Sequence, residues 1–205
     1  VRDGHERHLL AATTTLGGRV AKERNLPGLS AWGRVTDYRT GQMAPMPNVE
    51  IYRDSRLAPE DILAMEADHV AIATGSTWRR DAVARLHLFP IPTDPSMHLY
   101  TPDDLMEGRV PEGQTVTLYD DDHFYMGSVL AELLIAKGNR VIFVTPAVKV
   151  AEWTDNTLEQ GSIMRRLLGL GLTFHFSKAP DAIGSKEITL GCTWTTGPAL
   201  SGAGT

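Results

Sequence analysis

Apolar residues along this chain gather into short runs separated by glycine, proline and polar stretches, and the period within each run predicts its element. Four runs predict buried or half-buried strands: His8–Ala11, Val49–Tyr52, His69–Ala73 and Thr115–Tyr119. A fifth, Arg140–Thr145, carries Val141, Ile142, Phe143 and Val144 between Gly138-Asn139 and Pro146. Leu172–Phe176 is a candidate sixth. Between the fourth and fifth, Leu130, Leu133, Leu134 and Lys137 recur at i, i+3, i+4 and i+7, which predicts a helix over Met126–Lys137 that Gly138 stops. A further helix is expected over Thr157–Leu168, with Asp155 or Asn156 as its N-cap. Pro59-Glu60-Asp61 opens a short one through Met65.

Thr115–Thr145 therefore reads as a strand–helix–strand unit, long enough for one right-handed crossover. The next helix and the candidate sixth strand continue the alternation, which predicts an α/β fold with a parallel sheet. Trp78–Gly113 differs. Pro90, Pro92, Pro95, Pro102 and Pro111 interrupt it and no period spans it, so it reads as a connection between two α/β segments. From Gly184 the pattern weakens; Ile188–Trp194 is a candidate short hairpin, and the chain past Gly197 is expected to be disordered or cut off.

Composition narrows the function classes. The 205 residues, 42% hydrophobic and 22% charged, can bury a core, and the net charge of −5 gives no reason to expect a nucleic-acid or membrane partner. Arg79-Arg80 and Arg165-Arg166 are too short to form a basic stripe and are expected to be solvated faces; Trp78 beside the first pair adds too little for a peptide-binding stripe. The single cysteine, Cys192, excludes an internal disulfide, a multi-cysteine zinc site and an iron–sulfur cluster held by this chain alone. Such usage fits a reducing cytoplasm, the expected location. No apolar run reaches the roughly 18–20 residues of a membrane span. The first residue is Val1 and the start has no signal-peptide core, so the chain is expected to begin in mid-sequence.

Three local patterns hold the candidate chemistry. Leu16-Gly17-Gly18-Arg19-Val20 follows the first strand, and its paired glycines allow a tight turn and close approach to a ligand. Ala71-Ile72-Ala73-Thr74-Gly75 reads as a strand ending in Thr-Gly, where binding loops of α/β sheets lie. Tyr119 to Gly127, with Asp120, Asp121, Asp122, His123, Phe124, Tyr125 and Met126 between, fills a strand-to-helix turn.

In this order and spacing the three patterns resemble the later part of a disulfide-reductase-like flavoprotein. With Pro27-Gly28-Leu29-Ser30-Ala31-Trp32-Gly33-Arg34 and the run Asp120–Leu134, they resemble more narrowly the trimethylamine, dimethylamine and histamine dehydrogenase group. The likeness runs from about Gly4 to Phe176. It implies a Rossmann-like α/β fold with parallel sheets and an incomplete first domain. Residues 1–112 would be a partial FAD- or ADP-type nucleotide domain lacking its first strand–helix unit, 113–180 a second, NAD-type domain, and 181–205 a weakly structured tail. Members of the group also carry a barrel with FMN and a 4Fe–4S cluster, and pass electrons to an electron-transferring flavoprotein. None of the barrel, its amine pocket or its cluster cysteines matches here.

The resemblance places Gly17, Gly18, Arg19, Thr74 and Gly75 beside a flavin or ADP in an intact relative; the competing reading makes them a turn and a strand end kept by folding geometry. A working dinucleotide domain needs G-x-G-x-x-G after its first strand and an acidic residue about 20 residues on for the ribose. Gly4-His5 reads as the turn before the second strand, so the glycine loop is expected outside this chain, and Ala11 stands where the acid belongs. FAD or ADP binding by this chain alone is expected to be weak. If Gly127 is the third glycine of the second turn, Asp122 and Phe124 occupy the first two positions. A carboxylate about 4 Å from a phosphate costs on the order of 4 kcal/mol at a surface-like dielectric, against about 0.3–1 kcal/mol from a helix N-terminus. That turn is expected to reject NAD(P)H, its aspartates serving the helix end.

No metal site and no catalytic residue is expected. Consecutive Asp120, Asp121, Asp122 and His123 do not converge easily on one ion, and His5, His8, His69, His87, His98 and His175 show no ligand spacing. Cys192 has no evident partner for nucleophilic chemistry. Two functions compete. One is a fragment of an amine-dehydrogenase-like oxidoreductase, inert alone, whose parent oxidises a small amine. The other is an interaction module whose open sheet docks the absent N-terminal part or a second copy.

Overall fold

The structure is a computed structural model that describes residues 5–195 and 200–203. It is mixed α/β with parallel sheets and divides into two compact units, one up to Ser76 and one from Thr77.

In the first unit, β1 (Arg7–Leu10) pairs in parallel with β2 (Val49–Tyr52), with Leu9 opposite Ile51. The crossover carries α1 (Arg19–Glu23), a single 3-10 turn at Ser30–Trp32 and α2 (Gly33–Met43). Close helix contact selects Gly33. The Arg24 guanidinium lies across it and makes a two-pronged pair with Asp37 at 2.9 and 3.1 Å, and a Cβ at Gly33 would meet that guanidinium. α3 (Pro59–Ala64) begins with Pro59 at its first position, and Asp61 accepts from the Ala58 N–H at 2.8 Å. The strand expected at His69–Ala73 does not form. A strand persists only where its N–H and C=O groups find a ladder. No described strand runs beside this segment, and Ile72 remains 79% exposed.

The second unit is built on a parallel sheet in the order β3 (Thr115–Tyr119), β4 (Arg140–Val144), β5 (Thr173–His175). α5 (Met126–Ala136) packs on β3 and β4 and against α6 (Gln160–Gly169). Val129, Leu130, Ala131 and Leu134 are buried with Val141, Phe143, Val144 and Leu167 in the core of this unit. Gly138, with φ +77°, ends α5, and buried Asn139 locks that corner. Its side chain donates to the Pro111 and Leu134 carbonyls and accepts from the Gln114 N–H.

The proline-rich stretch holds one short helix, α4 (Pro102–Met106), and belongs with the second unit. Its basic pair, Arg79-Arg80, is solvent-exposed as expected, and both guanidinium groups are also engaged with carboxylates. Arg79 binds Asp81, and Arg80 joins Arg109 on the buried Asp104, which also accepts from the Thr101 N–H and hydroxyl. Arg80 first and then Arg109 hold the Asp104 carboxyl well below the usual carboxylate range. The open depression of about 810 Å3 beside them is thus lined by arginines already engaged with carboxylates.

The region expected to be a weak tail is instead a three-stranded antiparallel sheet, β6 (Lys178–Ile183), β7 (Glu187–Cys192) and β8 (Leu200–Ala203). Ladder hydrogen bonds and the buried Ala179, Ile183 and Leu190 compensate for the missing periodicity. Gly4, residues 196–199 and residues 204–205 lie outside the described residues. Among the described residues no helix is long and apolar enough to cross a membrane.

Candidate functional site

In the first unit the candidate residues gather at the carboxyl end of β1. Ala11 uses its backbone to extend the ladder, donating to the Tyr52 carbonyl and accepting from the Ser55 N–H, both at 2.9 Å. Its methyl group offers no acceptor to a ribose. The chain then turns through Gly17 (φ +108°) and Gly18 (φ +52°) into α1. A Cβ at Gly17 would come within 2.8 Å of the Thr36 side chain, so the absence of one lets this turn lie against α2. Arg19 then reaches the second candidate segment. Its guanidinium donates to the Ser76 carbonyl at 2.6 Å, next to exposed Thr74 and to Gly75 at φ +77°. All five candidate positions thus lie on two segments that the Arg19 side chain joins through Ser76. The sequence contains Ser76 but no signal that it would be the partner. Thr74-Gly75 is not a strand end here, because its strand is absent.

In the second unit the turn from β3 to α5 is closed from within. Asp120 is 4% exposed, and its carboxylate accepts the backbone N–H of Asp122 at 3.1 Å and also that of His123. Its side chain lies against Gly127, where a Cβ would fall 2.5 Å from the carboxyl carbon. Gly127 is therefore the position of close strand–helix packing that the spacing implies. Burial, reinforced by Asp122 and Asp121, pushes the Asp120 carboxyl up to about 7. Its Oδ2 has no hydrogen-bond partner.

The neighbouring groups are tied down as well. Asp121 accepts from the Leu86 N–H at 2.8 Å and lies 3.2 Å from His123 Nε2. His123 has φ +65°, uncommon for a residue with a side chain, and its carbonyl accepts from the Trp153 N–H. Phe124 sets its ring edge-to-face on Trp153, whose ring is covered by the Arg85 guanidinium at 3.9 Å. Asp122 and Phe124 were the residues expected to obstruct this turn; the structure puts Asp120 in its hydrogen-bond cradle. Sequence spacing missed it because Asp120 reads simply as the first of three aspartates. Arg85, Leu86 and Trp153 come from distant segments and carry no local signal. Among the described residues no group of three or more His, Cys, Asp or Glu is placed to hold a metal.

Residues 100–200 match the family described as the OYE-like second alpha/beta domain. The chain is 31% identical over 176 residues to dimethylamine dehydrogenase of Hyphomicrobium sp. (strain x), covering 82% of this chain and 24% of that protein. Among solved structures it is 52% identical to histamine dehydrogenase from Rhizobium sp. 4-9, with a TM-score of 0.93, covering 98% of this chain and 31% of that one. It is 39% identical to 6-hydroxypseudooxynicotine amine oxidase from Pseudomonas geniculata N1, with a TM-score of 0.88, covering 96% and 29%. The chain spans about a quarter to a third of the length of these relatives. It belongs to the trimethylamine, dimethylamine and histamine dehydrogenase group, of whose members it spans one part.

Proposed function

We propose that this chain is the nucleotide-type, Rossmann-like part of an amine-oxidising flavoprotein and carries no catalytic group of its own. The parent oxidises a small amine on an FMN barrel with a 4Fe–4S cluster elsewhere in its length, works in the cytoplasm, and passes electrons to an electron-transferring flavoprotein. What supports this is the naming of the relatives as amine dehydrogenases and an amine oxidase. The carrying observation within the chain is the Arg19–Ser76 bond, which brings the double-glycine turn beside Thr74-Gly75.

These residues fit FAD or ADP in part. Gly17 and Gly18 permit close approach, and Arg19 offers a guanidinium for an anionic group. Ala11 does not fit, having no carboxylate for the ribose. A bound FAD would supply a redox ring, whereas ADP would supply none. The test is calorimetric titration of ADP into the chain and its Ala11→Asp variant. The expected result is feeble binding by the wild type, purified without flavin colour, and at least about tenfold tighter binding by Ala11→Asp. No gain in that variant overturns the nucleotide reading; stoichiometric yellow cofactor in the wild type overturns the claim of weak binding.

A second reading rests on the edge of β1 opposite β2, along which no described strand lies, with Leu9 39% exposed. Such an edge suits a docked strand from the rest of the parent protein or a second copy. A strictly monomeric species by light scattering, with no partner retained, counts against it.

A further inference from the structure

We infer that residues 81–91 form a strap with a fixed base and a releasable tip, closed over the carboxyl end of β3. The base is firm. The Ile91 N–H donates to the Asp81 carbonyl at 3.2 Å, and Ile91 is itself buried. The Asp81 carboxylate takes both prongs of Arg79 and the Val83 N–H. The segment is thus a surface loop whose two ends are tied together.

The tip is held by less. Leu86 donates its N–H to Asp121 at 2.8 Å, and the exposed Arg85 guanidinium lies over the Trp153 ring at 3.9 Å. The His87 ring sits beside that of Tyr119, the last residue of β3. Apolar burial adds little, because Leu88 and Phe89 are 75% and 79% exposed. Closure also carries a penalty. His87 Nε2 and the Tyr119 hydroxyl are shielded from water and have no hydrogen-bond partner among the described residues. His123 Nδ1, on the ring that faces Asp121, is in the same state. A polar atom dried without a partner loses its hydration and gains nothing in return, and opening gives it water. A few exposed holds therefore oppose a cost that opening removes, which is the condition for local opening without global unfolding. The open strap uncovers Tyr119 and the carboxyl end of β3, the side on which parallel α/β sheets form their crevices.

The test is amide hydrogen exchange, followed residue by residue in the wild-type chain and in Tyr119→Phe, His87→Phe and Arg85→Ala. In the wild type, Leu86 at the tip is expected to exchange at least about tenfold faster than Ile91 at the base or Phe143 in β4. Tyr119→Phe removes a stranded hydroxyl without removing a hold, so Leu86 should exchange at least about threefold more slowly. Arg85→Ala leaves the acceptor of Leu86 in place but removes the stacking on Trp153, and Leu86 should exchange at least about threefold faster. If Tyr119→Phe fails to fold, His87→Phe removes the other stranded atom of the pair and should slow Leu86 likewise. Leu86 exchanging as slowly as Phe143 overturns the strap, since the tip would then open only with the whole unit. Ile91 exchanging as fast as Leu86 overturns the fixed base. Leu86 exchange that neither folded Tyr119→Phe nor folded His87→Phe slows overturns the penalty of closure.

Discussion

Arg19, the first residue of α1, donates from its guanidinium to the Ser76 main-chain oxygen across 57 residues of sequence. A cation gains nothing from the positive end of a helix, so α1 itself does not account for its position. What the side chain does is hold the segment that ends at Gly75 against the double-glycine turn.

Arg19→Ala is therefore expected to release that segment. The lost bond is worth about 1 kcal/mol, small beside global stability but enough to shift local opening. Limited proteolysis should cut within Val70–Ser76 sooner in the variant, while cleavage in the second unit stays unchanged. Equal rates at Val70–Ser76 would count against the clamp.

Asp120 sets a pH dependence. Its carboxyl is raised to about 7, so the folded chain holds the proton more tightly than the unfolded chain, where an aspartate titrates near about 3.9. The stabilisation is complete below that lower value and is lost as pH rises through the higher one, by at most about 4 kcal/mol. Asp120→Asn cannot ionise and should be flat across this window. Thermal melts should show its advantage over wild type growing from about pH 5 to about pH 8. A difference independent of pH would refute the assignment.

Gly127→Ala should destabilise the second unit by about 1–3 kcal/mol, because its Cβ would fall 2.5 Å from the Asp120 carboxyl carbon. On an Asp120→Gly background most of that cost should vanish, a coupling that a double-mutant cycle reads directly. Gly161→Ala is the contrast. Its Cβ would meet nothing within 4 Å in α6, and denaturant melts should show a gain of about 0.5 kcal/mol.

Asp104→Ala should loosen the proline-rich stretch, since one buried carboxylate receives Arg80, Arg109 and Thr101. Urea melts should show a loss of about 1–3 kcal/mol. Because its carboxyl lies well below the usual range, its contribution should survive mild acid and disappear only as pH falls below that range.

Several elements were legible locally. Thr115–Tyr119 was anticipated at both ends, and the helix opening at Met126 stops at Ala136 with Gly138 just beyond it. The candidate residues of the first unit were legible as glycines flanking apolar runs. Their connection through Arg19 was not, because a guanidinium reaching across a crossover has no period. His69–Ala73 was misread for a related reason: its apolar composition suits a strand, but strands are made by partners.

The amino-acid sequence by itself determined the alternation of β3, α5 and β4, the glycine stops and the lack of a ribose acid at Ala11. Each depends on side-chain period or backbone freedom within a few residues. Only the tertiary structure decided which aspartate fills the β3–α5 turn. The difference between Asp120 and Asp122 is not composition but burial and the direction of two N–H groups. Those are set by β3, Gly127 and the distant residues Leu86 and Trp153, which meet only once the chain has folded.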